Sequence, residues 1–184
     1  MFDFRYHKSL EHLHVNCESP RAYFVPYDTK EKALSGNRAD SDRFISLCGD
    51  WSFRFYHSEA EMDDFLCEGF VAEGFDSMTV PRSWQTVLGK GYDVPQYTNH
   101  EYPFTFDPPF VPVDNPSALY SRELYIGKDF LKKEIYINFE GVDSCFYLFV
   151  NNEFAGYSQV SHSTSEINVT KFLKAGYNNF KVLV

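Results

Sequence analysis

The sequence predicts an all-β fold, an antiparallel β-sandwich, and three observations support this class. Aromatic residues make up 18% of the 184 residues, and aromatic and β-branched side chains favour pleated, half-buried surfaces over helix interiors. From Leu47 onward, short stretches of alternating apolar and polar residues are separated by turn signals, a pattern typical of sandwiches. Hydrophobic residues make up 43% of the chain, enough for a real core, so most of the chain is not disordered.

Charge and cysteine usage narrow the possible partners and compartments. Lys and Arg number 17 against 26 Asp and Glu, a net charge of −9, so the positive surface that nucleic acid or an anionic membrane requires is missing. The N-terminus lacks the apolar run of a signal peptide, and no run approaches the ~20 apolar residues of a membrane span. The scattered cysteines are predicted to be reduced, buried thiols of a cytoplasmic protein; they are Cys17, Cys48, Cys67 and Cys145.

The chain divides into two parts by pattern. Residues 1–46 are polar and show no sustained periodicity, so they are predicted to form an irregular arm packed on the rest of the molecule. Residues 47–184 carry the strand patterns and are predicted to form the sandwich, with one or two short helices.

The first elements of the sandwich follow from local signals. Trp51, Phe53 and Phe55 alternate with polar residues, which predicts a strand with one buried face. The Ser-x-x-Glu spacing at 58–61 matches a capping box and predicts a short helix running to about residue 67. Residues 78–80 then form a brief strand that Pro81 ends.

A long ordered loop is predicted for residues 82–115, which are rich in Trp, Tyr, Pro and Gly. Its prolines fix φ and bias the preceding residues to extended conformations, so the loop loses little entropy when it orders. Ordered loops of this length on a rigid scaffold usually carry function.

Strands follow at 120–126, 134–139, 145–150 and 154–157, and Asn151-Asn152 marks a hairpin turn between the last two. Thr170 is predicted to cap one helical turn that Gly176 ends before a strand at 179–184. The final residues are apolar, with no polar tail behind them, so we expect a fragment whose continuation completes the sheet.

Residues with catalytic potential are few. Glycoside hydrolysis needs two carboxylates about 5 to 9.5 Å apart, and although Asp93, Glu101 and Asp107 lie in the loop, no catalytic pair is identified. The adjacent Asp63 and Asp64 fit a solvated helix start better. The His12-x-His14-x-x-Cys17 cluster lacks the fourth ligand of a zinc site. Phosphate-binding and acyl-transfer motifs are absent from the sequence.

The loop segment around Asn99 is the remaining candidate site. A side-chain amide both donates and accepts hydrogen bonds, which suits a sugar hydroxyl, and neighbouring aromatic faces can cover the apolar side of a pyranose. The alternative is that Asn99 fixes the loop through backbone bonds and the tyrosines fill the core. Residue types alone leave both open.

A resemblance favours the first alternative. The sequence resembles the N-terminal domain of bacterial β-galactosidases of glycoside hydrolase family two over nearly the whole chain from Leu47, and more weakly at Asn16 and 21–27 in the arm. The matching motifs are Leu47-x-Gly49-Asp50-Trp51-x-Phe53, Val80-Pro81-x-Ser83-Trp84-Gln85, Tyr92-Asp93-x-Pro95-x-Tyr97-Thr98-Asn99, Tyr102-Pro103, Pro108-Pro109-Phe110-Val111-Pro112, Asn115-Pro116, Phe139-x-Gly141-Val142-Asp143-Ser144-x-Phe146, Gly156-Tyr157-x-Gln159 and Phe172-Leu173-x-Ala175-Gly176-x-Asn178.

The resemblance implies a jelly-roll sandwich, like galactose-binding domains, as the first of several domains around a (β/α)₈ barrel. It implies a retaining β-galactosidase whose two catalytic glutamates lie on that barrel, so none is expected in this chain and the 184 residues alone are expected to be inactive. Asn99 is implied to contact substrate, with His100 at the neighbouring rim. A second substrate contact, an aspartate in a Trp-Ser-Asp-Gly segment, would fall beyond Val184.

The resemblance also carries implications for cofactors and partners. It implies that the partners of this chain are the remaining domains of the same enzyme and a β-galactoside substrate, and that the intact enzyme is a homo-oligomer. Mg²⁺ and Na⁺ are implied as cofactors of the intact enzyme only. Some family members tie the arm to the sandwich with a metal ion, one ligand being the glutamine matching Gln159. Tyr6 and Ser9 stand at the arm positions that should supply the other ligands, so no metal site is assigned here.

Two other functions stay open at this point. The chain could be a free-standing carbohydrate-binding module in which Asn99, Tyr97 and Trp84 form a complete lectin site. Alternatively it could be an assembly domain that holds neighbouring domains and subunits.

Overall fold

Two antiparallel sheets form the protein in the computed structural model, which describes residues 2–184. The strands are β1 (His14–Val15), β2 (Gly49–Tyr56), β3 (Asp76–Val80), β4 (Ser117–Ile126), β5 (Tyr136–Phe139), β6 (Phe146–Val150), β7 (Glu153–Ser158), β8 (Ser165–Asn168) and β9 (Gly176–Leu183). The larger sheet has the order β1-β7-β6-β9-β4-β2-β3, and β5 and β8 form the smaller sheet. The predicted all-β sandwich is confirmed.

The main core lies between the two sheets. In β2, Trp51 and Phe53 are buried on the predicted face, and they pack with Leu148 of β6, Phe180 of β9 and Ile137 of β5. The hairpin between β6 and β7 is also confirmed. Asn151 and Asn152 both adopt positive φ, 51° and 68°, the backbone that a tight two-residue hairpin turn requires.

The outer face of the larger sheet is covered as well, which explains why β6 is buried on both faces. A second core cluster joins Leu119, Tyr147 and Phe149 with aromatic residues of the arm and of the segment after β2. From the arm, Phe2 lies 5.2 Å and Phe4 6.1 Å from the ring of Phe149.

The arm is bound along much of its length. β1 pairs with β7, and Cys17 bridges to Ile167 of β8. Arg21 donates to both carboxylate oxygens of Glu166 at 2.8 and 2.9 Å. The arm therefore adds a short strand to the large sheet and closes one edge of the small one.

The predicted helices are wrong in place. Residues 58–67 form only a 3₁₀ turn, Glu59–Glu61, whose amide at Ala60 donates to Ser58 Oγ. The helix predicted from the capping signal does not form, because Phe65 is buried in the outer core against Phe149. The α-helix lies instead in the arm, α1 (Lys30–Ser35), capped by Thr29 and ended by Gly36 in the left-handed conformation.

Two local predictions near the C-terminal end also need correction. Thr170 begins a 3₁₀ turn, Thr170–Phe172, without capping it; its hydroxyl accepts from Ile135 N at 2.8 Å. Strand β8 was not predicted, because its four residues show no clear alternation. Gly176 has a positive φ of 104°, as expected of a residue that ends a helical turn, but β9 begins at Gly176 itself and not at residue 179.

The cysteines are free, but two of them are not buried. Cys48 and Cys67 are exposed, whereas Cys17 and Cys145 are partly buried. The expectation of four buried thiols is therefore wrong for the first pair. Over residues 2–184, no helix combines the length and apolar character needed to cross a bilayer.

Candidate functional site

The loop between β3 and β4 is the candidate site, and Tyr92 fixes its first end to the sandwich. The Tyr92 ring packs edge-on against Phe53 at 5.1 Å and lies 5.5 Å from the ring of Phe55. Its hydroxyl donates to Asp76 Oδ2 at 2.6 Å, and Lys90 Nζ donates to the other carboxylate oxygen at 2.6 Å. The bonds from Lys90 and Tyr92 lower the pKa of Asp76, whereas burial and the Asp76 bond raise the pKa of Tyr92.

The second end of the loop is held near the start of β4. Ser58 Oγ donates to the carbonyl of Val113 at 2.7 Å. Within the loop, Phe110 N donates to the carbonyl of Asp107 at 2.9 Å and closes a turn. Between these anchors, every side chain from residue 94 to residue 108 is exposed. The loop therefore projects from the sandwich as a finger whose base is fixed at both ends; we call residues 94–108 the finger.

The tip of the finger carries both predicted site residues. Asn99 and His100 are exposed, and Asn99 Nδ2 donates to the hydroxyl of Tyr97 at 3.1 Å. The rings of Tyr97 and His100 lie 6.0 Å apart. The structure thus brings the amide, the imidazole and one aromatic ring together. The bond to Tyr97 uses one N–H of the Asn99 amide. Within residues 2–184 the carbonyl oxygen and the second N–H form no hydrogen bond, so both are available to a ligand.

A second group of aromatic residues follows on the finger. Tyr102 stacks on Phe106 with 15° between the ring planes and centroids 5.7 Å apart, and Phe104 lies 5.8 Å from Tyr102. All three are exposed. They support one another rather than plugging the core, which contradicts the core-filling alternative for this part of the loop.

Two of the candidate acids named from the sequence have partners within the protein. The Asp93 carboxylate accepts from the amide of Val94 at 2.8 Å. Asp63 accepts from the hydroxyl of Tyr56 at 2.9 Å and pairs with Arg54 at 3.2 Å. Both carboxylates therefore have structural partners.

Trp84 lies away from this surface. It is 8% exposed and sits in the main core, 6.3 Å from the ring of Phe53 and 5.9 Å from that of Phe55. The suggestion that Asn99, Tyr97 and Trp84 share one lectin site is therefore wrong, because the indole belongs to the core.

The residues at the positions that the resemblance links to a metal ion contact other protein groups. Gln159 Oε1 accepts from the hydroxyl of Tyr157 at 2.5 Å, and Ser9 Oγ is bonded to His12 Nδ1 at 3.1 Å. Tyr6 stacks on Phe154. Over residues 2–184, no group of three or more His, Cys, Asp or Glu side chains could hold a metal ion.

The histidines and cysteine of the 12–17 cluster also separate. His14 Nδ1 bonds to Ser158 Oγ at 2.9 Å, and Cys17 Sγ donates to the carbonyl of Tyr157 at 3.2 Å. These two hydrogen bonds attach the arm to β7.

Sequence reasoning missed the anchor of the finger. The pairing of Asp76 with Tyr92 joins residues from a strand and a loop, and no spacing rule links them. The available signal was the position of Tyr92, two residues after Lys90 and directly before the proline-rich segment.

Comparisons with known proteins are consistent with this architecture. The description "Glycosyl hydrolases family 2, sugar binding domain" matches residues 44–184. A β-galactosidase from Actinobacillus pleuropneumoniae is 44% identical over 173 residues, which are 94% of this chain and 16% of that protein. A β-galactosidase from Staphylococcus xylosus is 39% identical over 181 residues, 98% of this chain and 18% of that protein. The chain thus spans about a sixth of the length of these relatives.

Solved structures share the fold at low identity. A β-glucuronidase from an uncultured Clostridium aligns with a TM-score of 0.55 and 17% identity, over 76% of this chain and 21% of that one. A β-D-mannosidase from Dictyoglomus thermophilum aligns with a TM-score of 0.52 and 22% identity, over 76% of this chain and 15% of that one.

Proposed function

The chain belongs to the sugar-binding domains of the glycosyl hydrolases family 2, and from this premise we propose that it is the N-terminal domain of a β-galactosidase that hydrolyses terminal β-D-galactosides. Its role in that enzyme is to lend the finger to the galactose pocket, while the catalytic glutamates belong to the rest of the polypeptide. The observation that carries this proposal is the finger itself, anchored at both ends and exposed over residues 94–108.

The chemistry of the finger suits a sugar hydroxyl. The free carbonyl oxygen of Asn99 accepts from a hydroxyl, and its second N–H donates to another oxygen. The bond to Tyr97 holds the amide in a defined orientation, which reduces the entropy lost when the sugar binds. His100 lies at the rim, where its ring nitrogens can reach a neighbouring hydroxyl. None of these groups transfers a glycosyl group, so the chain positions substrate and does not hydrolyse it alone.

The test uses the intact enzyme and replaces Asn99 with alanine. Loss of a hydrogen bond to a substrate hydroxyl leaves polar groups unpaired in the closed pocket and costs about 1 to 3 kcal/mol of transition-state binding. We therefore expect kcat/KM to fall by about 5- to 150-fold. Gln96→Ala, a second exposed amide of the same finger, is the matched control and should leave kcat/KM near the wild-type value. Equal values for wild type and Asn99→Ala would contradict the proposed contact.

A free-standing carbohydrate-binding module is the first alternative, favoured by the exposed Tyr97 ring beside Asn99. Titration of the 184-residue chain with galactose or lactose separates the two. Saturable binding in the millimolar range or tighter favours the module, whereas a lent finger predicts no saturation. Product release from a galactoside by the chain alone would contradict both readings.

An assembly role is the second alternative, favoured by the exposed aromatic group of Tyr102, Phe104 and Phe106. A pure assembly role predicts that Asn99→Ala changes the oligomer mass while turnover stays the same. We further propose that the intact enzyme is a cytoplasmic homo-oligomer, consistent with free cysteines, and that any Mg²⁺ or Na⁺ it uses is held outside this chain.

A further inference from the structure

A small polar pocket lies where the arm pairs with β8, apart from the finger. Its volume is about 490 Å³, within the range of roughly 300–1,000 Å³ that is common for small-molecule sites. β1 and β7 form the edge of the larger sheet on this side, whereas the finger follows β3 at the opposite edge. The pocket is lined by side chains of the arm, of β7 and of the segment that ends β8, among them Asn16, Glu18, Ala155, Asn168, Lys171 and Phe172.

The arm contributes hydrogen-bond acceptors to this pocket. Asn16 has a positive φ of 58°, and its Nδ2 donates to the carbonyl of Ala155 at 3.1 Å, which leaves Oδ1 as an acceptor. The backbone amide of Glu18 donates to the carbonyl of Glu166 at 2.8 Å, so this part of the arm is fixed to β8. Within residues 2–184, Asn16 Oδ1 and the Glu18 carboxylate form no hydrogen bond or ion pair. The arm side of the pocket therefore offers one negative charge and one neutral acceptor.

The end of β8 and the turn after it contribute donors instead. Asn168 Oδ1 accepts from the amide of Thr170 at 3.0 Å and from its hydroxyl at 2.7 Å, so the Asn168 carbonyl is occupied and its Nδ2 remains a donor. Lys171 Nζ lies 4.8 Å from the ring centre of Phe172, a cation–π contact that holds the ammonium group beside the pocket. In the part of the chain that the structure describes, Asn168 Nδ2 and Lys171 Nζ have no hydrogen-bond acceptor. This side therefore offers one positive charge and one neutral donor.

The two sides together determine which ligand chemistry fits. A simple anion or cation would be attracted by one of the two charges and repelled by the other. A neutral polyol would displace water from both charges without pairing with either of them. A zwitterion pairs with both, because a carboxylate accepts from an ammonium group and an amide N–H, while an ammonium group donates to a carboxylate and an amide oxygen. Ala155 and Phe172 add apolar surface that can contact a hydrocarbon side chain.

We propose that this pocket binds a free α-amino acid with an apolar side chain. The ammonium group of the ligand donates to Glu18 and Asn16, and its carboxylate accepts from Lys171 and Asn168. Because such a ligand joins the arm to the turn after β8, it also stabilises the attachment of the arm. The proposal is independent of the proposed function, since none of these residues belongs to the finger.

Titration of the 184-residue chain with L-leucine, followed by two-dimensional proton–nitrogen NMR, tests the proposal. We expect saturable shifts of the amides of residues 16–18 and 168–172, while the amides of the finger stay unchanged. The Glu18 amide, which is bonded to β8, should also exchange more slowly with solvent when leucine is bound, because the ligand opposes detachment of the arm.

Two matched ligands separate the two ends of the amino acid. 4-Methylpentanoate has the same side chain and carboxylate but no ammonium group, and 3-methylbutylamine has the side chain and ammonium group but no carboxylate. Each leaves one charge of the pocket unpaired, so each should bind about tenfold more weakly than leucine.

Matched variants separate the two charges of the protein, and all the side chains concerned are exposed. Glu18→Gln and Lys171→Gln should each weaken leucine binding by about tenfold. Glu11→Gln and Lys174→Gln change residues of the same two segments that do not line the pocket, so they should bind as the wild type does. The double variant Glu18→Lys with Lys171→Glu should bind leucine more tightly than either single reversal, because a zwitterion can bind in the opposite orientation.

Three results would overturn the proposal: shifts that do not saturate, equal binding of leucine and the two matched ligands, or equal binding by the charge variants and their controls. Displacement of leucine by galactose would assign the pocket to a sugar and would overturn the proposal as well. The Asn99 test measures kcat/KM of the intact enzyme, so neither result alters the interpretation of the other.

Discussion

Removal of the Tyr92 anchor should destabilise the sandwich in two separable steps. Tyr92→Phe removes only the hydroxyl that donates to Asp76 at 2.6 Å. A hydrogen bond to a charged acceptor contributes about 1.5–3 kcal/mol, and the Asp76 side chain is 41% exposed, so solvent screening reduces the expected loss to about 1 kcal/mol.

Tyr92→Ala also removes the ring that packs against Phe53 and Phe55. Loss of a fully buried aromatic ring costs about 3–5 kcal/mol. Because Tyr92 is only partly buried, we expect about 2 kcal/mol from the ring and about 3 kcal/mol for the whole side chain.

Urea unfolding followed by tryptophan fluorescence measures both steps, since Trp84 packs on the same phenylalanine. With a slope of about 2 kcal/mol/M, the midpoint should fall by about 0.5 M for Tyr92→Phe and about 1.5 M for Tyr92→Ala. The Asp76 pKa is lowered in the folded state, so the stabilisation is present above the unfolded carboxylate pKa and is lost as pH falls through the folded pKa. The loss in Tyr92→Phe should therefore shrink in acid. Equal losses in both variants, or losses below about 0.5 kcal/mol, would refute the anchor.

Three further predictions concern the sandwich and its arm. Burial lowers the pKa of His7 despite the opposing charge of Glu59. The stabilisation should therefore be complete above the pKa of histidine in the unfolded chain and be lost as pH falls through the folded pKa. Urea titrations between pH 7.5 and 5 should show this decrease in the free energy of unfolding, and His7→Gln should remove it. Gly156→Ala should lower the free energy of unfolding by about 1–3 kcal/mol, because the new Cβ would meet a backbone oxygen at 2.9 Å. The new Cβ of Gly127→Ala would meet nothing within 4 Å, so this variant is the near-neutral control in thermal unfolding. Burial raises the pKa of Cys145 to about 11. Iodoacetamide at pH 8 should therefore label the exposed Cys48 before it labels Cys145, as followed by peptide mass spectrometry. The reverse order of labelling would contradict the burial of Cys145.

Strands with one buried face were predictable, because alternation directly reports which side chains meet a core. The Trp51, Phe53 and Phe55 pattern became β2, and Asn151-Asn152 became a positive-φ turn. The loop was also predictable, because its prolines exclude it from a central ladder.

The missed elements are those that tertiary contacts impose. β1 contains two residues and exists only because it pairs with β7. The capping signal at Ser58 was real locally, since its hydroxyl accepts from the next turn, yet a helix through residue 67 gave way to burial of Phe65 under the arm. Local signals of about 1 kcal/mol cannot compete with burial of a large aromatic ring.

The residues of the candidate site could be predicted from the sequence, but the contacts that hold the loop in place could not. Asn99 was identified from residue chemistry and from resemblance, and His100 from resemblance alone; their roles stay predictions. Whether the loop projects or folds back depends on contacts at its base, between Tyr92 and a strand residue 16 positions away. No pattern within the loop contains that information.

The anchor of the finger is connected to the main core through aromatic contacts. Phe53 lies 6.3 Å from the ring of Trp84 and 5.1 Å from the ring of Tyr92. Because close-packed cores transmit displacement, a change that loosens the core around Phe53 should also loosen the base of the finger. The orientation of the finger therefore depends on core residues that lie far from it along the chain, which gives a physical reason why substrate positioning would be sensitive to the packing of the sandwich.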